Sequence, residues 1–376
     1  MAKPFFRRIT KRFLIICNIV VAICFVLGCY VKFFNPDRWW FIGLLTLNLP
    51  YILITLLIFF FCWIFAKKIW MLISLLAIAF CWKAVQNIFP LHLSASFKTQ
   101  KDTGNIRIMS WNVEHFDILE YKTHPETKQK MIALIKQYQP DIACFQEMVG
   151  GDDSKAINYL GDFKRRLEFT GYYYSYENRF DFDQAHHFGI ITFSKFPIIN
   201  KQTISSPPHD YNSIFQYVDV IANNDTVRIF NIHLQSLKFT QNNLKYLDNP
   251  DTNTDTTVSE SRSIIGKLKR GFLKRSTQSN RVKEEIDRSP YPVIVCGDFN
   301  DVPNSYAYCK IGDGLQNAFV EKGIGFGRTF SDISPTLRID NIFTDKKFTI
   351  EQFTRIPKRL SDHFPIIADV SIKMNK

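Results

Sequence analysis

The sequence has no CxxC pair and no Cys/His cluster with zinc spacing, so a zinc site is unsupported. A disulfide framework is equally unsupported. Of eight cysteines, Cys17, Cys24, Cys29, Cys62 and Cys81 lie in long apolar runs, and Cys144, Cys296 and Cys309 cannot all pair within the chain. Cys144 and Cys296 fall in apolar segments that read as strands, where a free cysteine behaves as a small core residue. Acidic residues are nearly missing from the first quarter. Residues 1–97 hold ten Lys/Arg and one acid, Asp37, so +9 of the +12 net charge belongs there and about +3 to the remainder. The part able to form a soluble globule is therefore close to neutral, and whole-chain charge gives no ground for a nucleic-acid partner. Internal repeats are absent, and a hydrophobic content of 46% excludes disorder.

Charge is also missing from three runs: residues 13–31, 39–66 and 69–82. About twenty apolar residues span a bilayer, which predicts transmembrane helices at about 13–34, 39–65 and 69–89. The third requires Lys83 to snorkel toward an interface. Trp39, Trp40, Trp70 and Trp82 fall near the ends, as an aromatic belt requires, and Pro50 predicts a kink in the second span. The tail before residue 13 resembles the basic start of a cleaved signal peptide, but the apolar run is too long and two more follow. Lys3, Arg7, Arg8, Lys11, Arg12, Lys67 and Lys68 lie on one side, against Lys32, Arg38, Lys98 and Lys101 on the other. The positive-inside rule then keeps the tail in the cytoplasm and puts everything after about residue 97 outside it.

These features divide the chain into a membrane domain, 1–97, and a second domain, 98–376, joined by a polar linker at about 94–105. Strands are expected at 106–113, 141–146, 188–194, 198–204, 214–222, 226–234, 292–297, 338–344 and 364–370. Helical patterns cover 126–138, 154–168 and 259–287. Asn223-Asn224-Asp225 predicts a hairpin, which argues against a purely parallel sheet. Many strands with few helices fit sheets packed together with helices outside.

The chemistry-bearing residues stand where these strands end. Asn112 closes IRIMSWNV, Glu147 closes DIACFQE, and His233 sits in RIFNIHLQS. Asp298 and Asn300 follow VIVCGDFN, Asp340 lies in RIDNIF, and Asp362-His363 open SDHFPI. Singly, each has a structural reading: turn residue, helix cap or half-buried histidine. Together they supply what phosphate-ester hydrolysis needs. Carboxylate and amide oxygens of Glu147, Asp298, Asn112 and Asn300 suit Mg²⁺, histidines move protons near neutral pH, and an Asp beside a His fixes its tautomer.

The ordered series SWNV, FQE, FSKFPI, NIHLQS, GDFND, RIDNIF and SDHFPI resembles the endonuclease/exonuclease/phosphatase superfamily, over about 104–373. That group includes deoxyribonuclease I, abasic-site endonucleases, neutral sphingomyelinases and inositol polyphosphate 5-phosphatases. The resemblance implies a four-layer α/β/β/α sandwich with the site at one end of two packed sheets, here preceded by the three transmembrane helices. It implies Glu147 as the main ligand of Mg²⁺ or Mn²⁺, with Asn112 beside it and Asp362 near the metal. Asp298 and Asn300 resemble the pair that positions nucleophile and phosphate. His363 resembles the histidine that activates or orients the attacking water, with Asp340 as its orienting partner and either His363 or Asp298 as the group that takes the water's proton, and His233 matches the second histidine of the deoxyribonuclease and sphingomyelinase branches.

The substrate implied is a phosphodiester, either nucleic acid or a phospholipid head group. The run Pro335-Thr336-Leu337-Arg338-Ile339 lacks the Trp usual in abasic-site enzymes, and the additional basic motifs of inositol phosphatases are missing. The alternative to an enzyme is a non-catalytic phosphate-binding module retaining the fold, against which the intact acid, amide and histidine set argues. Residues 262–283 carry eight Lys/Arg and no acid around an apolar stripe. Such a helix can face anionic lipid or nucleic acid, but the expectation for an amphipathic helix of this kind is core cover. Likewise Tyr172, Tyr173, Tyr174 and Tyr176 read as a strand rather than a base-stacking platform.

Overall fold

The computed structural model describes residues 2–93, 96–114, 126–151, 159–176, 186–205, 214–248 and 254–373. The apolar N-terminal quarter forms helices at Ala2–Cys29 (α1), Pro36–Trp39 (α2), Ile42–Leu47 (α3), Leu49–Ala66 (α4), Met71–Phe80 (α5) and Trp82–Ile88 (α6). Arg8–Cys29 and Leu49–Ala66 are long and apolar enough to cross a membrane, each with a mean hydropathy of 2.5. The break expected near Pro50 falls at Asn48, and the proline occupies the first turn of α4, where its missing N–H costs nothing. The third expected span is not one rod. Lys68–Phe80 and Trp82–Ile88 meet at 72°, so they count as a span only if the bent pair is taken together. Phe25, Leu53, Leu56, Ala77 and Cys81 pack between the helices. Ser74 Oγ donates to Asn18 Oδ1 at 2.8 Å, a buried polar clasp between apolar helices.

Beyond residue 105 the strands are Ile106–Asn112 (β1), Ile142–Gly151 (β2), Gly171–Tyr176 (β3), His186–Ser194 (β4), Ile198–Ser205 (β5) and Ile214–Ala222 (β6). They continue with Asp225–His233 (β7), Val293–Asp298 (β8), Gln316–Asn317 (β9), Asp340–Thr344 (β10), Phe348–Arg355 (β11) and Ile366–Ile372 (β12). Helices follow at Thr127–Tyr138 (α7), Leu160–Arg166 (α8), Gln241–Asp248 (α9), Thr254–Asp287 (α10), Tyr306–Ile311 (α11) and Ala318–Lys322 (α12). The Asn223-Asn224 turn has φ of 52° and 70°, the backbone of a type I′ hairpin. The helix expected at 154–168 is Leu160–Arg166, and residues 152–158 lie outside the described residues.

Two six-stranded sheets result, in the orders β11-β12-β1-β2-β4-β3 and β5-β6-β7-β8-β10-β9. In each, the parallel pair, β1 with β2 and β7 with β8, is joined by a crossover that carries helices. Ile108, Cys144, Val218, Ile229, Cys296 and Ile342 fill the space between the sheets. Met131, Ile135 and Phe163 from α7 and α8 cover one outer face, and Val282, Ile286 and Ile311 from α10 and α11 the other. This is the four-layer α/β/β/α sandwich.

Among the described residues each sheet buries an arginine–aspartate pair. The Arg107 guanidinium donates through Nε and Nη2 to the two Asp369 carboxylate oxygens, both at 2.7 Å, across β1 and β12. Arg228 donates to Asp219 at 2.7 and 2.9 Å across the β6–β7 hairpin. The sandwich docks on the helices that precede it. Tyr51 and Ser334 hydroxyls are 2.8 Å apart, Asn304 Nδ2 donates to Ala84 O at 2.9 Å, and Phe89 meets Phe326 edge-on.

Candidate active site

Parallel register puts His233, the last residue of β7, opposite Asp298, the last of β8, and antiparallel register puts Asp340, the first of β10, on the other side of Asp298. Three polar side chains thus form one row at one end of a sheet, pointing to one face. Asn112 ends β1 in the facing sheet. Gly297 makes the row possible: its φ is 145°, and a Cβ there would lie 1.9 Å from Ile232 O, so only glycine lets β8 approach β7 so closely. Glu147 interrupts β2, where the register with β4 shifts between Phe145 and Met148. At its φ of 54° the bulge turns the residue out of strand alternation.

The side chains converge on one oxygen, Asp298 Oδ2. Asn112 Nδ2 donates to it at 3.2 Å and Asn300 Nδ2 at 3.1 Å. His233 Nε2 stands 3.5 Å away and His363 Nε2 3.7 Å away. Asp298 Oδ1 accepts from the Asn300 N–H at 2.7 Å, closing an Asx turn that fixes the carboxylate. Asn112 also points Nδ2 at Glu147 Oε1, at 3.4 Å, while its oxygen accepts from the Glu114 N–H. His363 Nδ1 pairs with Asp340 Oδ2 at 2.8 Å. The His363 backbone is pinned by Ser361, whose Oγ accepts from its N–H at 2.9 Å, and by Trp111, whose Nε1 donates to its carbonyl at 2.9 Å. Phe330 packs edge-on against the imidazole.

Burial and mutual repulsion dominate the electrostatics. Asp362 is pushed up to about 8 by burial, with the carboxylates of Glu114, Glu147 and Asp298 adding to it and His363 opposing. Burial also raises Asp298, against the pull of His363. For His363 burial disfavours the charged ring, but the Asp340 and Asp298 carboxylates outweigh it and hold its pKa well above the ordinary value. His233 Nε2, Asp340 Oδ1 and Asp362 Oδ1 are buried with no hydrogen-bond partner. Buried polar atoms without partners are costly, and a carboxylate cluster that resists ionisation fits an oxygen-liganded divalent cation such as Mg²⁺. Asp298, Asp340 and His363 also place one ligand atom each within 4.8 Å of one another. Since His363 Nδ1 already bonds Asp340, that trio is better suited to orienting an imidazole than to caging an ion.

All eight residues singled out in the sequence, Asn112, Glu147, His233, Asp298, Asn300, Asp340, Asp362 and His363, stand at this end of the sheets. Glu114 was not among them, although its Oε2 accepts from the Asp362 N–H at 2.8 Å. Its place two residues after Asn112 was the available signal. Trp111 and Ser361 were missed because they touch the site through backbone groups of His363 and Asn112, which no side-chain pattern reveals.

Residues 109–363 match the model of the Endonuclease/Exonuclease/phosphatase family. Residues 11–88 match a domain family of unknown function. No curated protein matches the chain. Among solved structures, the fold is shared with the endonuclease/exonuclease/phosphatase from Bacteroides vulgatus (17% identity, 72% of this chain and 99% of that one, TM-score 0.52). It is shared also with the one from Beutenbergia cavernae DSM 12333 (16% identity, 71% and 72%, TM-score 0.51). D. rerio TDP2 complexed with single strand DNA product is similar at 17% identity, over 72% of this chain and all of that one, with a TM-score of 0.50. With two thirds of its length matched by the family model and both sheets in place, the chain belongs to the endonuclease/exonuclease/phosphatase family.

Proposed function

We propose that the protein is a membrane-anchored, Mg²⁺-dependent phosphodiesterase whose catalytic domain lies outside the cytoplasm. The observation that carries the reading is the convergence of Asn112, Asn300, His233 and His363 on Asp298 Oδ2, from both sheets and within 3.7 Å. A fold needs no such assembly of buried polar groups, and a reaction centre does.

Glu147 and Asp362, with Asn112 beside them, would hold the metal. When bound, it supplies charge neutralisation at the phosphorus-bound oxygens and offsets the negative potential that favours a protonated His363. Asp340 holds His363 in the tautomer whose Nε2 faces the cleft, and Nε2 accepts a proton from the attacking water. Asp298 and Asn300 orient that water and the phosphate, and His233 hydrogen-bonds a phosphate oxygen opposite His363. Anchoring is supported by the two helices long and apolar enough to cross a membrane. The outside location is supported by the charge asymmetry and by Tyr51 and Ala84, at the near ends of α4 and the bent pair, both touching the catalytic sandwich.

The test is hydrolysis of a soluble chromogenic diester, bis(p-nitrophenyl) phosphate, by the full chain in detergent. Turnover is expected with Mg²⁺, none with EDTA, and none from Asp298→Asn. Metal-independent turnover that survives Asp298→Asn would contradict the proposal.

A further inference from the structure

The polar groups occupy one end of a cleft of about 440 Å³, within the roughly 300–1,000 Å³ of small-ligand sites. Away from them its walls are mostly apolar. Leu244 and Leu247 come from α9, Ile264, Leu268 and Phe272 from α10, and Ile333 from the loop before β10. The basic amphipathic helix is thus only partly core cover. Val282 and Ile286 lie on the sheet, but the stripe of its first half lines the cleft. Leu47, Asn48 and Tyr51, at the junction of α3 and α4, complete the same wall. The α10 helix is seated on this junction's approach: Phe272 lies against Gly43, and the Lys269 ammonium over the Trp40 ring at 5.4 Å. One of the two helices apolar enough to cross a bilayer therefore begins at the cleft.

Charge distinguishes the two substrate classes. Among the described lining residues the cations are Lys238 and Arg275, and Arg275 is buried and paired with Asp301 at 3.1 Å. A nucleic-acid backbone carries a charge at every nucleotide and is bound through many Lys/Arg contacts. A wall of leucine and isoleucine would leave those phosphates unpaired. One phosphodiester attached to a long apolar chain satisfies both ends of the cleft. Resting on the phosphodiesterase reading, we infer that the substrate is a phosphodiester lipid of the bilayer, one chain lying between α9, α10 and the α3–α4 junction, its phosphate beside Asp298.

Water adds to phosphorus through its oxygen, giving one proton to His363. The P–O bond to one esterified alcohol breaks, and the leaving oxygen takes the electron pair and a proton from solvent, to which His363 returns its own, so that one water is consumed in net. The products are an alcohol and a phosphate monoester. Leu247 and Ile333, 37% and 40% exposed at the cleft mouth, are positions where a charge leaves the core intact. Ile333 has a φ of 65°, a region Asp tolerates better than a β-branched residue.

The experiment uses the full chain in vesicles of phosphatidylcholine and phosphatidylglycerol that contain a glycerophospholipid with a diazirine in its acyl chain. Photolysis should label peptides from 237–247 and 264–272 in the wild type and in Glu147→Gln, and much less in Leu247→Asp/Ile333→Asp. In that double variant, turnover of vesicle lipid relative to bis(p-nitrophenyl) phosphate should fall on the order of tenfold or more. Soluble diester hydrolysis without labelling or lipid turnover overturns the lipid assignment and leaves the phosphodiesterase reading standing. An unchanged ratio in the double variant, or single-stranded DNA cleaved in preference to lipid, overturns it as well. Labelling with no hydrolysis of any diester overturns the substrate claim together with the reading beneath it.

Discussion

His233 and Asp298 are partners on adjacent parallel strands, and the imidazole Nε2 stands 3.5 Å from the carboxylate Oδ2 with no hydrogen bond of its own. On the other side of that carboxylate His363 Nε2 stands at 3.7 Å. Both imidazole Nε2 atoms therefore stand within 3.7 Å of one carboxylate oxygen.

Removing either ring should leave metal binding and lose chemistry. A positioned proton donor or acceptor contributes ~10²–10⁴-fold, so His233→Ala and His363→Ala should each reduce kcat by about that much. The double variant should lose less than the product of the two, since both act on one transition state. Wild-type turnover by His233→Ala on every phosphodiester tested would return that residue to a structural role.

Asp340→Asn should resemble a weaker loss of His363, with kcat falling and the Mg²⁺ affinity measured by calorimetry preserved, because the 2.8 Å bond to Nδ1 sets a tautomer. If Asp298, Asp340 and His363 were instead the metal cage, Asp340→Asn would weaken Mg²⁺ binding and Glu147→Gln would not.

The buried pair of Arg107 and Asp369 gives a stability prediction remote from the site. Asp369→Ala leaves a guanidinium uncompensated in the core and should cost about 3–5 kcal/mol, whereas replacing both partners by apolar residues of similar volume should cost much less. Unfolding of the full chain in detergent measures both. An unchanged midpoint for Asp369→Ala would show that water reaches Arg107.

The orientation across the membrane is open to a direct assay. A reporter active only after export, fused after residue 105, should be active. Silence there, with a cytoplasmic reporter active at the same junction, would show that the bent pair does not cross.

Much of this was legible in the chain because the site residues close apolar strands, where a polar side chain stands out against its neighbours. The hairpin at Asn223-Asn224 and the long helix ending at Asp287 were legible for local reasons as well: turn chemistry and a 3.6-residue period. The strand β11 was missed because FTIEQFTR has a charged, half-exposed pattern no stronger than a loop's. The Glu147 bulge leaves no mark in sequence. Nor does the partnership of Arg107 with Asp369, 262 residues away, which makes a strand-interior arginine look misplaced until the fold is known. The α10 stripe shows most clearly where periodicity stops. It says that a face is apolar, not whether a sheet or an open cleft lies against it.

If Glu147 holds the cation needed for hydrolysis, the Mg²⁺ dependence of diester turnover will differ sharply between wild type and Glu147→Gln. The wild type should saturate with Mg²⁺ and stop in EDTA, and Glu147→Gln should need far more Mg²⁺ and turn over orders of magnitude more slowly, with its fold intact by circular dichroism. Full activity of Glu147→Gln in EDTA would show that Glu147 holds no cation needed for hydrolysis.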